Sequence, residues 1–151
     1  MAKRADPLPT PREPLSRDRV LQAAVALADR SGIDALSMRK LADELGVEAM
    51  SLYYHVANKD AILDGIMDVV TSEIELPSDS SDWKTALRQN ALSTRDVLLR
   101  HPWASGLRVS RRGDGPARLR HEEWMLRTLR EAGFSKDLTY HAFHTLESHV
   151  L

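Results

Sequence analysis

Tyr53, Tyr54 and His55 follow one another in the chain, and Lys59 comes four residues later. Phenol and imidazole groups hydrogen-bond phosphate oxygens, and their rings pack on sugars. A lysine beside them supplies positive charge, and the N–H groups of a helix start add affinity for anions. The cluster therefore suits a polyanionic partner. Its spacing also allows a plainer arrangement, with the tyrosines packed under a neighbouring helix and the histidine idle at the surface.

Other residue sets carry less chemistry. The chain has no cysteine, which removes disulfides, thiolate metal sites and cysteine nucleophiles and fits a reducing compartment. His121-Glu122-Glu123 is not a zinc-protease motif, because Met125 stands where the second histidine would be. His141 and His144 share a helix face and His149 follows, but no acid at matching phase completes a metal set. Gly113-Asp114-Gly115 is too short for a phosphate loop, and no Ser-His-acid set stands out. The reading is a non-enzyme without metal or cofactor.

The elements that hold these residues are helical. Val20, Ala24, Leu27 and Ala28 form one apolar stripe, and Leu63, Ile66, Met67, Val70 and Ile74 form another. No segment alternates as a strand would, so the fold class is all-α. Ser16, Ser37 and position 48 each follow an apolar residue and precede another by four, the spacing of a hydrophobic staple. Glu48 is the poorest cap of the three. Asn58 starts a further helix with Asp60 in its first turn. Gly32 and Gly46 sit at helix ends. These signals predict helices over 16–31, 37–45, 48–56 and 59–74, and later over 82–100, 103–109, 116–132 and 135–151. The two short helices around Gly46 make a helix-turn-helix, whose second member fits a DNA major groove. Within 48–56, Leu52 and Val56 face inward, so Tyr53, Tyr54 and His55 cannot all be buried.

Organisation follows the punctuation. Residues 1–14 hold four prolines and read as a mobile arm, 75–82 as a linker, and 110–118 as a Gly/Pro/Arg loop. The domains expected are the arm, a helix-turn-helix head at 15–60, a connecting helix at 59–76, and a second helical part at 77–151. The net charge of −1 gives no global sign of a nucleic-acid partner. Seven arginines against three acids in 108–130 read equally as a functional patch or a solvated face. No apolar run approaches the roughly 20 residues of a membrane span, and MAKRADPLPTPREP lacks the apolar core of a signal peptide. A cytoplasmic protein is expected.

The stretch LSMRKLADELGVEAMSLYYHVANKDAILDGI, residues 36–66, resembles the DNA-binding region of the TetR family of transcriptional repressors. The likeness runs over 16–74 and centres on the pattern G-V-x-x-x-x-L-Y-Y-H-[VF]-x-x-K from Gly46 to Lys59. The wording YYHV and NKDAILDGI is similar to the tetracycline-repressor branch. The resemblance implies that Ala49, Met50 and Ser51 lie against base edges, with Tyr54 reaching a base or sugar. It makes Tyr53, His55 and Lys59 backbone anchors and turns Ser37 and Arg39 toward DNA. Arg39 is then the candidate for a two-pronged guanine contact. Lys40 is either a phosphate contact or a solvated residue. Ala49 and Met50 offer no side-chain hydrogen bond, so base reading there would rest on Ser51 and on apolar contact with thymine methyls.

The resemblance further implies a helical ligand-binding and dimerisation domain joined to the head by the fourth helix. Trp103, Leu107, Trp124, Met125 and Phe143 are its candidate cavity lining, and each would serve equally as ordinary core. The helical pattern still runs at Leu151, whereas family members continue for some tens of residues, so this domain is expected to be incomplete here. The implied function is a repressor that binds a palindromic operator as a homodimer and is released by a small-molecule inducer. Its partners are duplex DNA, the effector and a second copy, with no membrane. The alternative is a helical small-molecule or metal-binding module that does not bind DNA.

Overall fold

The computed structural model describes residues 13–78, 82–111 and 113–150. The expected arm at 1–14 lies outside the described residues except for its last two, and the expected linker at 75–82 does so at 79–81. Every regular element among the described residues is helical: α1 (Arg17–Ser31), α2 (Met38–Leu45), α3 (Ala49–Leu52), α4 (Lys59–Ser72), α5 (Trp83–Arg100), α6 (Pro102–Ser110), α7 (Pro116–Glu131) and α8 (Lys136–Val150). A 3-10 turn at Ile33–Ala35, which no sequence signal marked, joins α1 to α2.

The helix starts are sealed as their sequences indicate. The hydroxyls of Ser16 and Ser37 accept from the N–H groups of Arg19 and Lys40 at 3.1 and 3.2 Å. The Asn58 side chain accepts from Ala61 N–H at 2.9 Å, and Asp82 accepts from Lys84 N–H at 3.0 Å. Each such bond satisfies one of the four orphan donors of a helix start and is worth about 1 kcal/mol. Gly46 closes α2 in the left-handed region, at φ 64°, where a side chain would be strained.

The helix expected over 48–56 is corrected. Its α-helical part is only Ala49–Leu52, and the chain continues through turns at 53–55. Glu48 supplies no side-chain cap. Bonds of the tighter i to i+3 kind mix with the α pattern: Ser51 N–H donates to Glu48 O at 2.9 Å, and Leu52 O accepts from both His55 N–H and Val56 N–H at 2.9 Å. A segment this short cannot hold a helix by its own hydrogen bonds. Leu52, fully buried, and Val56 pin it to the core instead.

One apolar core joins the head to the body. It gathers Val20, Leu21 and Ala24 of α1, Leu36, Leu41 and Leu52 of the head, and Ile62, Ile66 and Val70 of α4, and reaches Val97 and Ala104 in α5 and α6. A second cluster, with Leu87, Trp124, Met125, Leu129 and Phe143, lies between α5, α7 and α8. Helix α4 packs on α1 and on α7. Its Gly65 lies directly against Leu21, whose Cδ2 is 2.6 Å from where a Cβ would stand.

Polar ties complete the junctions. On α4, Asp68 accepts the first N–H groups of α7 from Ala117 and Arg118 at 2.8 and 3.2 Å. His101 lies between Asp29 of α1, at 2.8 Å, and Glu73 beyond α4, at 3.3 Å. The Trp103 indole N–H donates to the same Asp29 oxygen at 2.6 Å. Deeper in the body, the Asn90 amide donates to Glu75 O at 2.7 Å, which leaves its oxygen to accept from His121 Nε2 at 3.1 Å. His121 is thereby held as the neutral Nε2–H tautomer. Burial, and after it the nearby Arg108 charge, push its pKa down to about 4, with Glu122 and Arg118 also facing it.

Two outcomes follow. Gly65→Val should destabilise the protein by about 1–3 kcal/mol through overpacking against Leu21. Gly106→Ala, with open space around it, should gain up to about 1 kcal/mol from helix propensity; urea melts of both variants check the contrast. For His121, the unfolded chain takes a proton near pH 6.5 and the folded chain only near about 4. Stability through this group is thus intact above pH 6.5 and falls on acidification, by roughly 1.4 kcal/mol per pH unit at most for one proton. His121→Gln should flatten that part of a stability-against-pH curve, and an unchanged slope would refute the assignment.

Candidate nucleic-acid interface

The geometry of the head decides how the Tyr53–His55 cluster is presented. Leu52 and Val56 point inward, and the residues between them have nowhere to go but out. Met50 is 71% exposed, Tyr53 47% and Tyr54 89%, values far above those of aromatic or thioether groups held in a core. His55 is half-buried. The plainer arrangement, with both tyrosines under a neighbouring helix, is therefore not the one adopted.

The surrounding cations are uncommitted. Arg39, Lys40 and Lys59 are all exposed, and none makes an ion pair with another described residue. By contrast Arg30, also in the head, is paired to Glu44 at 2.5 Å. Two cations flank the start of α2, one opens α4, and the aromatic turn lies between them in sequence. Ser37 spends one lone pair on capping α2. Its O–H remains able to donate outward.

The first turn of α3 divides its residues. Ala49 is half-buried and packs against the head core. Met50 projects outward, and Ser51 is half-buried beside it. Tyr53 N–H donates to Met50 O at 3.3 Å, which places these two exposed residues one turn apart. The arrangement offers apolar contact, hydroxyl groups and free cations on a narrow ridge, a set suited to groove edges and phosphates.

The five candidate lining residues of the body separate. Met125 borders a small hollow that also touches Leu146 and Arg108, and Phe143 borders a larger cleft between α6, α7 and α8. The Trp124 indole N–H donates to Pro77 O at 3.0 Å, so it anchors the segment after α4. Trp103 is tied to Asp29, and Leu107 packs on the core shared with the head. Sequence reasoning passed over Asp68 and His101, whose role depends on residues 28 to 72 positions away. It passed over Arg108 as well. The one available signal was its place four residues after Ala104, which is fully buried.

Comparison with known proteins supplies the family. Residues 20–66 match the family described as bacterial regulatory proteins, tetR family, and residues 76–151 match the tetracyclin repressor-like C-terminal domain. An HTH-type transcriptional regulator of Saccharopolyspora erythraea is 43% identical over 123 residues, which are 81% of this chain and 52% of the relative. The chain spans about half the length of the curated relatives it matches. The Streptomyces coelicolor TetR family protein ActR in complex with actinorhodin superposes with a TM-score of 0.84 at 33% identity, covering 91% of this chain and 66% of that one. BioQ with its natural double-stranded DNA operator superposes at 0.77 and 30% identity, covering 91% and 84%. A head match, a body match and a shared fold at this level of identity have one reading: the chain belongs to the TetR family of bacterial regulatory proteins.

Proposed function

We propose that the protein is a ligand-responsive transcriptional repressor of the cytoplasm, which grips a palindromic DNA operator as a homodimer and lets go when a small molecule binds its body. The observation that carries this reading is the outward ridge of Met50, Tyr53 and Tyr54 flanked by unpaired Arg39, Lys40 and Lys59. BioQ, a structural neighbour, is described with its DNA operator, and ActR with actinorhodin. Among the described residues no helix is long and apolar enough to cross a membrane.

In this reading Met50 and Ser51 meet base edges and Ala49 backs them from the core side. Tyr54 reaches a base or sugar. Tyr53, His55, Lys59, Lys40 and Ser37 hold phosphates, and Arg39 forks onto a guanine. One such ridge reads only a few base pairs. A two-fold dimer sets two of them about 34–36 Å apart, one turn of the groove. Release requires that ligand and DNA favour different arrangements of one body, with a coupling of about 1–3 kcal/mol. Helix α4 is the lever, because Gly65 locks it to α1 and Asp68 ties it to α7. In the body, Met125 and Phe143 line the effector site. Trp103, Leu107 and Trp124 support it from behind.

Selection of bound sequences from random duplex DNA should return a palindrome; a failure to enrich any sequence would sink the repressor reading in favour of a non-DNA-binding module. On the selected site, affinity should fall with salt by nearly one log unit per neutralised phosphate per decade. Tyr53→Phe and Lys59→Ala should weaken specific and random DNA about equally, while Arg39→Ala should also relax selectivity by about 1–3 kcal/mol at one position. Fluorescence anisotropy on matched and mismatched duplexes reads both effects. Asp68→Ala, which frees the α7 N-terminus, should leave operator affinity nearly intact and reduce the response to effector.

A further inference from the structure

The geometry points to an organic acid as the ligand of the body: a molecule whose anionic group is held by Arg108 in the cleft between α6, α7 and α8. This rests on the reading that the body binds a small molecule, and it gives that molecule a chemical class.

The charged groups around the cleft are unevenly paired. Arg111 is held by Asp60 and by Asp64, the latter at 2.8 Å. Arg118 is held by Glu122 at 2.8 Å. Asp68 is spent on the first N–H groups of α7. Arg108 is the exception. Its side chain is only 14% exposed, yet its one ion-pair partner among the described residues is Glu147, at 3.6 Å, beyond hydrogen-bond reach. Withdrawal from water weakens its hold on its proton, with Glu147 opposing that effect. A guanidinium has five N–H donors, and no buried side-chain nitrogen among the described residues lacks a partner, so those of Arg108 open onto the hollows beside it. A ligand carboxylate would take two of them in one planar contact.

Space exists for such a ligand. Arg108 and Glu147 stand where three hollows meet. The largest is a cleft of about 450 Å³ bordered by Leu119 and Phe143, within the roughly 300–1,000 Å³ usual for small-molecule sites. Another runs toward Met125 and Leu146. The cleft pairs apolar faces, from Val109, Leu119 and Phe143, with charged ones, from Asp114, Arg118 and Glu122; Arg118 is taken by Glu122, so Arg108 is the loosely paired cation left for an acidic end. His121 adds no second charge, because it is held neutral beside Asn90. Glu147, on the last turn of α8 and 24% exposed, is the internal anion that the ligand displaces toward water.

Two dyes that share a ring system test this on the full chain. 8-Anilinonaphthalene-1-sulfonate carries an acid, and N-phenyl-1-naphthylamine does not. Fluorescence titration should show the sulfonate bound about tenfold or more tightly than the amine, as a charge-assisted contact allows. Arg108→Met should abolish that preference by weakening the sulfonate alone. Glu147→Gln, which removes the competing anion, should strengthen the sulfonate and leave the amine unchanged. Equal binding of the two dyes overturns the inference, as does a sulfonate affinity unmoved by Arg108→Met in a variant that keeps its helical circular dichroism. If Arg108→Met does not fold, Glu147→Gln decides, and a weakened sulfonate there counts against the anchor. Operator binding is measured separately on the wild type: its loss would refute the repressor reading, whereas the dye results speak only to the acid.

Discussion

The structure depends on α4 being buried from two directions at once. On one side it meets α1 so closely that Gly65 has no room for a side chain against Leu21. On the other, Asp68 neutralises the first N–H groups of α7. The first contact is a steric limit in a close-packed interior, where even one added methyl must displace its neighbours. The second is a charge-assisted cap, worth more than a neutral one. A helix held in both ways cannot slide against either partner without large cost.

Around that constraint the head spends stability on exposure. Three large side chains, Met50, Tyr53 and Tyr54, face solvent on four α-helical residues and the turn that follows them. Such an arrangement gains nothing from burial and little from helix cooperativity. The cost is met behind the ridge, by Leu52 and Val56 and by the α2 end at Gly46. Local rules that fail at a site, while all the surrounding rules hold, mark where a fold serves something other than its own stability. The junction of His101, Asp29, Glu73 and Trp103 adds a polar clasp between α1 and the body.

Much of this was legible in the sequence because helix boundaries are written locally. Ser16, Ser37, Asn58 and Asp82 cap as their neighbours indicate, since a cap needs only residues within one turn. That Tyr53, Tyr54 and His55 could not all be buried also followed from a local argument about Leu52 and Val56, though which of them face out did not. What escaped was non-local. The end of α3 at Leu52 depends on tertiary anchoring, which overrides the helical period. Arg108 looked like one more arginine in a basic run, and its cover comes from residues far along the chain, Arg118, His121 and Glu122 of α7 and Glu147 of α8. Trp103 and Trp124 read as cavity lining because they are large and apolar. Their indole N–H groups also bind Asp29 and Pro77, partners 74 and 47 residues away that no local signal marks.

Met50 and Tyr53 are joined through their backbones, Tyr53 N–H donating to Met50 O at 3.3 Å, and both side chains face solvent. If the head reads DNA as proposed, a replacement at one of them alters what the other can touch. Retargeting such a head is then a problem of paired substitutions, whose joint effect differs from the sum of their separate ones.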